Sequence, residues 1–384
     1  MSANYLPVIK AKLGELKALS NAKKSHLRKM LPLFEVGRIG ESIRNAARFK
    51  DSDALTCDYL DEIAEKIAEV RVGQSALVDA FQWPADATTE TGEHVLPYVY
   101  EKLESLGVDV IPVVGYDRWD SQPYRLALQG LDLSDDKYFC LRLDSHAIED
   151  SADPTFFEDQ VLGILDDLSL KAGRCAILVD FGDITGTSLE DLIDQTSGIV
   201  DLLGPMGFRF FATAGCSLPA TIDGAVKKQN TTGKVIRKEM LLWQTLRTEY
   251  PQIKWLFGDY GVRGPNTAED VISPHTNGKI RHTISQHFFI ARGHSIQTGD
   301  KGAQMHKLAQ VIVQSQHYLG DGFSWGDARI LACSQGEFKG NSTDWIAIDT
   351  NHHIAYVVAE IGEFETTIAA PTRVSRILCK RDFA

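Results

Sequence analysis

Charged side chains recur at the ends of the apolar segments of this 384-residue chain. Residues 138–144 show the pattern most clearly. Their aromatic and apolar side chains predict a buried strand, yet Arg142 and Asp144 occupy alternate positions, which share one face of a strand. A buried charge is costly unless it is paired or belongs to a site. The residues that this argument assigns to one polar site are Lys10, Lys12, Glu35, Asp79, Arg142, Asp144, Asp180 and Asp259.

Two chemistries suit such a set. In the first, carboxylates from several strands hold Mg²⁺ or Mn²⁺ while Lys and Arg neutralise phosphoryl oxygens. The metal ligands would be Glu35, Asp180 and Asp259, the catalytic groups Glu35, Asp79, Asp180 and Lys10, and the substrate-binding residues Lys12, Arg142, Asp144 and Tyr260. In the second, Lys10 or Lys12 acts as a base or a Schiff-base amine, with a pKa lowered by neighbouring cations. The first hypothesis uses more of the residues.

Each residue also has a purely structural explanation. A polar residue at the end of a strand is commonly the N-cap of the next helix, which suits Asp144 and Asp180. Arg142 cannot cap a helix and would instead belong to a buried ion pair. Because several cations and carboxylates coincide, a shared polar site explains the set better than separate caps do.

Eight apolar segments alternate with segments of helical spacing. The predicted strands are residues 4–12, 31–36, 75–81, 108–115, 138–144, 175–181, 208–214 and 254–260. Alternation of this kind predicts a parallel sheet, and eight repeats in about 260 residues match a TIM-like (β/α)8 barrel. An open doubly wound sheet is the alternative, but the Gly-rich fingerprint expected after its first strand is absent. In a barrel, the carboxyl ends of all the strands open on one face, which would collect the charged residues.

The composition changes after Gly264. We predict a barrel over residues 1–264 and a C-terminal α+β extension over residues 265–384, packed on the barrel in the same globular unit. The extension is expected to contain a β-hairpin near residues 281–292, a helix over 305–318 and a Gly-rich loop over 320–341 that covers the barrel mouth. Two further strands, 345–348 and 353–358, are expected to bracket a β-turn at Asp349.

The bulk composition limits the class of protein. A net charge of −12 argues against a broad nucleic-acid surface, although it allows a local basic pocket. No apolar run has the length of a membrane span, and the first residues lack the pattern of a signal peptide. Six cysteines without a C-x-x-C pair are typical of a reduced, cytoplasmic protein. We therefore predict a cytoplasmic protein with no membrane partner.

Several short motifs resemble the beta-protein family, which is named after a T-even bacteriophage protein. The motifs are residues 5–19, Leu31-Pro-Leu-Phe-Glu35-Val, Arg292-Gly293, Phe323-Ser-Trp-Gly-Asp327 and Asn351-His352-His353. The family comprises phage and bacterial proteins, some of them encoded near defence genes, without an established reaction to carry over. The resemblance singles out Lys10, Glu15, Glu35 and the pair His352-His353. On this ground Arg292 and His353 join the candidate substrate-binding residues.

Two functions follow as hypotheses. The first is an enzyme whose barrel mouth binds a phosphorylated or nucleotide-like ligand, with metal-dependent phosphoester hydrolysis as the reaction and phage–bacterium conflict as the setting. The second is a non-catalytic barrel that binds a ligand or a protein partner as an interaction component of a phage-defence or phage-encoded system, because a barrel fold by itself does not specify a reaction.

Overall fold

A closed barrel of eight parallel strands forms the centre of the molecule. The computed structural model describes residues 3–131, 137–265, 276–296 and 302–369. The barrel strands, in spatial order, are β1 (Tyr5–Ile9), β2 (Leu33–Glu35), β3 (Ser75–Asp79), β4 (Asp109–Gly115), β5 (Phe139–Leu143), β6 (Cys175–Asp183), β7 (Phe211–Cys216) and β9 (Trp255–Asp259). The predicted TIM-like barrel is confirmed, and the open doubly wound alternative is excluded because β9 pairs with β1.

Helices follow the strands as the alternation predicts. They are α1 (Leu13–Ser20), α2 (Lys24–Leu27), α3 (Glu41–Arg44), α4 (Leu55–Arg71), α5 (Val95–Ser105), α6 (Gln122–Gln129), α7 (Ser145–Asp150), α8 (Pro154–Asp167), α9 (Leu189–Leu203), α10 (Ile222–Ala225) and α11 (Lys238–Glu249). Local signals fix several starts: the side chains of Asp144, Asp153 and Ser188 accept hydrogen bonds from backbone N–H groups in the first turns of α7, α8 and α9.

Alternate strand residues face opposite sides of the barrel wall. In β1, Leu6 and Val8 belong to the cluster that fills the barrel, whereas Tyr5 and Ile9 belong to the cluster between the wall and the helices. Both faces are apolar because both are covered, as in other parallel sheets. The two-residue period therefore decides which side chains at the carboxyl ends of the strands point into the mouth.

The C-terminal region adds a small antiparallel sheet. β10 (Asn277–Ile284) and β11 (His287–Ser295) form a hairpin where the sequence predicts one, and β11 pairs in turn with β8 (Thr231–Ile236). β8 lies between β7 and α11, in a stretch where the sequence analysis predicted no strand. Its alternating half-buried and exposed residues are typical of a strand with one covered face.

Two predictions for the C-terminal region are wrong. The stretch 320–341 was predicted to be a loop but contains α13 (Trp325–Ser334), which follows α12 (Gln304–Val313). The two strands and the turn predicted around Asp349 are instead part of one helix, α14 (Ser342–Ala369). Residues of α14 from Ile348 to Ala355 are all buried. A helix covered on every side shows no amphipathic period in its sequence, which is the physical reason for the error.

Helix α14 completes the barrel. It packs on α1, where the side chain of Ile346 lies against Gly14 and the Asn351 amide donates to the carbonyl of Ala18 at 2.9 Å. It also packs on α11, where the Trp243 and Phe364 ring centroids are 5.2 Å apart. The place of an eighth barrel helix, between the first and the last, is thus filled from the region predicted as an extension. Within the described ranges, no helix has the length and apolar character needed to cross a membrane.

Candidate functional site

Five side chains from five strand ends meet at the carboxyl end of the barrel. We call Glu35, Asp79, Arg142, Asp180 and Tyr260 the mouth layer. Each side chain points into the barrel, as does the residue two positions before it in its strand. Glu35 follows Leu33, Asp79 follows Leu77, and Arg142 follows Cys140 in this way. All five are at most 5 % exposed. The structure therefore brings together four of the charged residues predicted to share a site.

Arg142 is the centre of the mouth layer. Its Nε donates to Asp180 Oδ2 at 2.7 Å, its Nη1 to Asp79 Oδ2 at 2.8 Å, and its Nη2 to Glu35 Oε1 at 2.7 Å. The Tyr260 hydroxyl accepts from Nη2 at 2.9 Å and donates to Asp180 Oδ2 at 2.7 Å. One guanidinium thus holds three carboxylates from three strands, with charge-assisted bonds on all its nitrogens.

A second arginine, which the sequence analysis missed, reinforces this arrangement. Arg118 lies in the turn after β4, and its Nη1 donates to Asp79 Oδ1 at 2.8 Å. A Cβ atom at Gly115, the inward-facing last residue of β4, would clash with this guanidinium. The sequence offered one signal for Arg118: a glycine at the inward-facing end of a strand, followed three residues later by Arg. The missing side chain of the glycine leaves space in the mouth that the long arginine side chain fills.

The two arginines give neighbouring carboxyls opposite pKa shifts. Burial raises the pKa of Glu35, and Asp180 and Asp79 raise it further, so that the single bond from Arg142 does not restore its ordinary value. Burial also disfavours the ionised form of Asp79, but Arg118 and Arg142 together outweigh burial and lower its pKa. Asp79 is therefore the more firmly ionised of the two carboxylates.

The mouth layer does not fit a divalent cation in this arrangement. The position between Glu35, Asp79 and Asp180 that an ion would take holds the Arg142 guanidinium. An ion could bind these oxygens only after displacing a buried cation from three ion pairs. The mouth layer is thus organised around an internal cation, and metal ligation by Glu35 and Asp180 stays a prediction that requires rearrangement.

Asp259, the third predicted metal ligand, lies outside this group. Its side chain lies on the same face of the sheet as those of Tyr5 and Phe257, which point towards the helices. Its carboxylate therefore lies between the barrel wall and the helices and not in the mouth. Tyr5 donates to its Oδ1 at 2.8 Å, and His353 Nε2 lies 2.8 Å from its Oδ2. Burial opposes ionisation of Asp259, but His353, Arg237 and Tyr5 outweigh burial and lower its pKa. Asp259 and His353 join β9 to α14.

The remaining predicted residues occupy separate places. Asp144 is the N-cap of α7, and its carboxylate also contacts His146 Nδ1 at 2.9 Å. Arg292 is buried on β11, and its Nη1 donates to the carbonyl oxygen of Lys227 at 2.8 Å. Lys10 lies at the mouth, and its Nζ donates to the Pro265 carbonyl at 2.9 Å. Of these three residues, only Lys10 lies at the mouth, where it lines a pocket.

A basic pocket opens at the rim of the barrel mouth. This rim pocket has a volume of about 820 Å³ and is lined by residues that follow β1, β2 and β9 and by residues of α4. Among the described residues that line it, the cationic ones are Lys10, Lys12, Arg38, Arg48, Lys66 and Arg263, and the carboxylate is Glu62. Glu62 is engaged by Arg48 and Lys66. The described lining of the rim pocket is thus mainly cationic, in a chain of net charge −12.

The loop from β1 to α1 places two of these lysines. Ala11, between Lys10 and Lys12, has φ of +52°, a left-handed conformation that costs a residue with a Cβ about 1–2 kcal/mol. Glu15, in the first turn of α1, receives a hydrogen bond from the backbone N–H of Lys12, as in a capping box. Burial raises the pKa of Glu15, although Arg263 and Lys10 oppose the rise. The strained backbone thus directs both lysines to the rim pocket.

Comparison with curated proteins and with solved structures found no match. The family model described as beta protein matches residues 5–359, which include the strands and helices that build the mouth layer, the rim pocket and most of α14. The chain belongs to the beta protein family.

Proposed function

We propose that the barrel binds a phosphorylated or nucleotide-like anion in the rim pocket. The observation that carries this proposal is that the described residues around a cavity of about 820 Å³ include six cationic side chains and one carboxylate. Such a cavity has the size of a small-molecule site. It lies at the end of the barrel where enzymes of this fold carry their ligand sites.

The chemistry of the lining favours phosphoryl oxygens. Arg38, Arg48 and Arg263 offer planar guanidinium groups that can bond two oxygens at once, and Lys10 and Lys12 offer compact ammonium groups. The mouth layer supports the pocket from within the barrel, because Arg142 holds Glu35 at the end of β2 and Tyr260 just after β9, and pocket loops follow both strands. A ligand with two or more phosphoryl groups would use several of these cations together.

Catalysis is the second step of the proposal. Metal-dependent phosphoester hydrolysis through Glu35 and Asp180 would require an ion to replace the Arg142 contacts. The competing function, a barrel that binds its ligand or a protein partner without turnover, is favoured by the observation that Arg142 already engages all three mouth carboxylates. A role in phage–bacterium conflict is compatible with either function.

Calorimetric titration with ATP, AMP and inorganic phosphate tests binding. We expect the wild type to bind the polyphosphate most tightly, with an affinity that falls as salt is raised. The double variant Lys12→Glu, Arg38→Glu should bind at least about tenfold more weakly, a loss of about 1.4 kcal/mol or more. The control Lys171→Glu, Lys307→Glu makes the same change of charge at exposed positions outside the pocket.

The same samples separate the two functions. Incubation of the bound nucleotide with Mg²⁺ or Mn²⁺, followed by chromatography, should reveal cleavage products if the barrel is an enzyme. Binding without products would favour the non-catalytic barrel. Equal affinity of the wild type and the rim-pocket variant, or no binding of any of the three anions, would refute the proposal.

A further inference from the structure

We propose that His282, Asp327 and His352 bind a divalent transition-metal ion. This metal group lies away from the mouth layer, where β10, α13 and α14 meet. Among the described residues it is the group of three His, Cys, Asp or Glu side chains whose ligand atoms all lie within 4.8 Å of one another. All three residues are fully buried, with 0 % exposure.

Hydrogen bonds to backbone carbonyls determine the tautomers of the two imidazoles. His352 Nε2 lies 2.8 Å from the carbonyl oxygen of Thr283, and His282 Nε2 lies 3.3 Å from that of His317. A carbonyl can only accept, so each Nε2 carries the hydrogen and a neutral ring has its lone pair on Nδ1. This anchoring of one ring nitrogen by a carbonyl is the usual arrangement around metal-bound histidines.

Two of the atoms that would face the ion lack hydrogen-bond partners. His282 Nδ1 and Asp327 Oδ1 are both buried without a hydrogen-bond partner. His352 Nδ1 lies 2.9 Å from Asp327 Oδ2, a close approach of two acceptors unless a cation or a proton lies with them. Buried polar atoms without partners are costly, and one cation would satisfy all three groups together.

Ligand type indicates the class of ion. Two imidazoles and one carboxylate suit Zn²⁺ and other first-row divalent ions rather than Mg²⁺ or Ca²⁺. The His282 and His352 rings are stacked with centroids 3.7 Å apart, so coordination requires one ring to tilt out of the stack. Full burial leaves no access for a substrate, and the site is therefore structural. It would fasten the small sheet to α14, the helix that completes the barrel.

Metal analysis of the full-length protein, purified without chelator, tests this proposal. We expect one ion per chain in the wild type and its loss in Asp327→Asn and His352→Gln. The matched control is His353→Gln, which changes the neighbouring buried histidine, a partner of Asp259, and should retain the ion. Stripping the wild type with chelator should lower its melting temperature, and Zn²⁺ should restore it.

A second measurement does not depend on variants that fold poorly. Co²⁺ added to the stripped wild type should give visible absorption bands typical of nitrogen and oxygen ligands. Substoichiometric metal in the purified wild type, together with no Co²⁺ spectrum and no effect of Zn²⁺ on melting, would overturn the proposal. The contact between Asp327 and His352 would then be a proton-bonded ion pair. Because none of the three residues of the metal group lines the rim pocket, this result is separate from anion binding.

Discussion

At the scale of single residues, the number of cationic partners decides the state of each mouth carboxylate. Glu35 receives one arginine and Asp79 receives two, and burial is nearly the same for both. The second arginine accounts for the opposite directions of the two pKa shifts. Arg118 therefore has a larger effect on the site than its place in a turn indicates.

Neutral variants of the two carboxyls should respond to pH in opposite ways. The lowered pKa of Asp79 stabilises the fold above the unfolded value of about 3.9, and this contribution disappears as pH falls through the folded pKa. Asp79→Asn should therefore be destabilised at neutral pH, and its deficit should shrink in acid. The raised pKa of Glu35 stabilises the fold at low pH, and this contribution is lost as pH rises through the folded pKa. Glu35→Gln should gain stability relative to the wild type over that rise.

Urea unfolding between about pH 2 and pH 8 measures both trends, with slopes of at most about 1.4 kcal/mol per pH unit for each proton. The two difference curves serve as controls for each other, because both variants remove one mouth carboxylate. Parallel curves for the two variants would contradict this account of the mouth layer.

At the scale of elements, the crossing of α13 and α14 depends on a glycine. A Cβ atom at Gly326 would clash with the Ile348 carbonyl oxygen and lie 3.0 Å from the His352 backbone nitrogen. The Gly326 N–H also donates to the Asn351 side chain at 2.9 Å. The two helices therefore approach with backbone against backbone, which holds Asp327 beside His352.

Gly326→Ala should separate the two helices. The clash involves backbone atoms, which cannot move aside as a flexible side chain can, so we expect a loss of about 1–3 kcal/mol in the free energy of unfolding. Thermal and urea denaturation followed by circular dichroism measure the loss. Gly362→Ala is the matched control, because it lies in α14 with no atom within 4 Å of the added Cβ and should be neutral or stabilising. Equal effects of the two substitutions would show that the crossing is not tightly packed.

At the scale of the whole molecule, the barrel and the C-terminal region form one structure. Ile354, Val357, Val358 and Ile361 of α14 belong to the same apolar cluster as the barrel strands and their helices. The pair of Asp259 with His353 adds a polar connection. The barrel therefore depends on residues far beyond its last strand.

Removal of residues 342–384 should abolish cooperative folding of the remaining barrel. The truncation exposes the apolar surface between α1 and α11 and leaves the buried Asp259 without His353. Calorimetry should show one transition in the full chain and none, or a much broader one, in the truncated chain. A peptide of residues 342–369 added in trans should restore part of the transition. A truncated chain that melts like the full chain would refute this dependence.

The sequence by itself determined the barrel and the charged residues of the mouth layer. Apolar segments covered on both faces are visible as continuous runs, and their number predicts the closed sheet. Their positions at the carboxyl ends of predicted parallel strands placed Glu35, Asp79, Arg142 and Asp180 at one end of the barrel. The two-residue period puts Asp259 on the same face as Tyr5 and Phe257, which points towards the helices. Which of the two faces points inward is decided only when the barrel closes.

Only the tertiary structure decided the rest, because those features depend on contacts between distant parts of the chain. Arg118 reaches Asp79 from a turn, and the basic residues of the rim pocket come from loops and from α4. Helix α14 could not be recognised from a period, since neighbours cover it on nearly all sides. The metal group joins three elements whose proximity no local pattern encodes. Local sequence specified the strands, and packing specified which side chains meet.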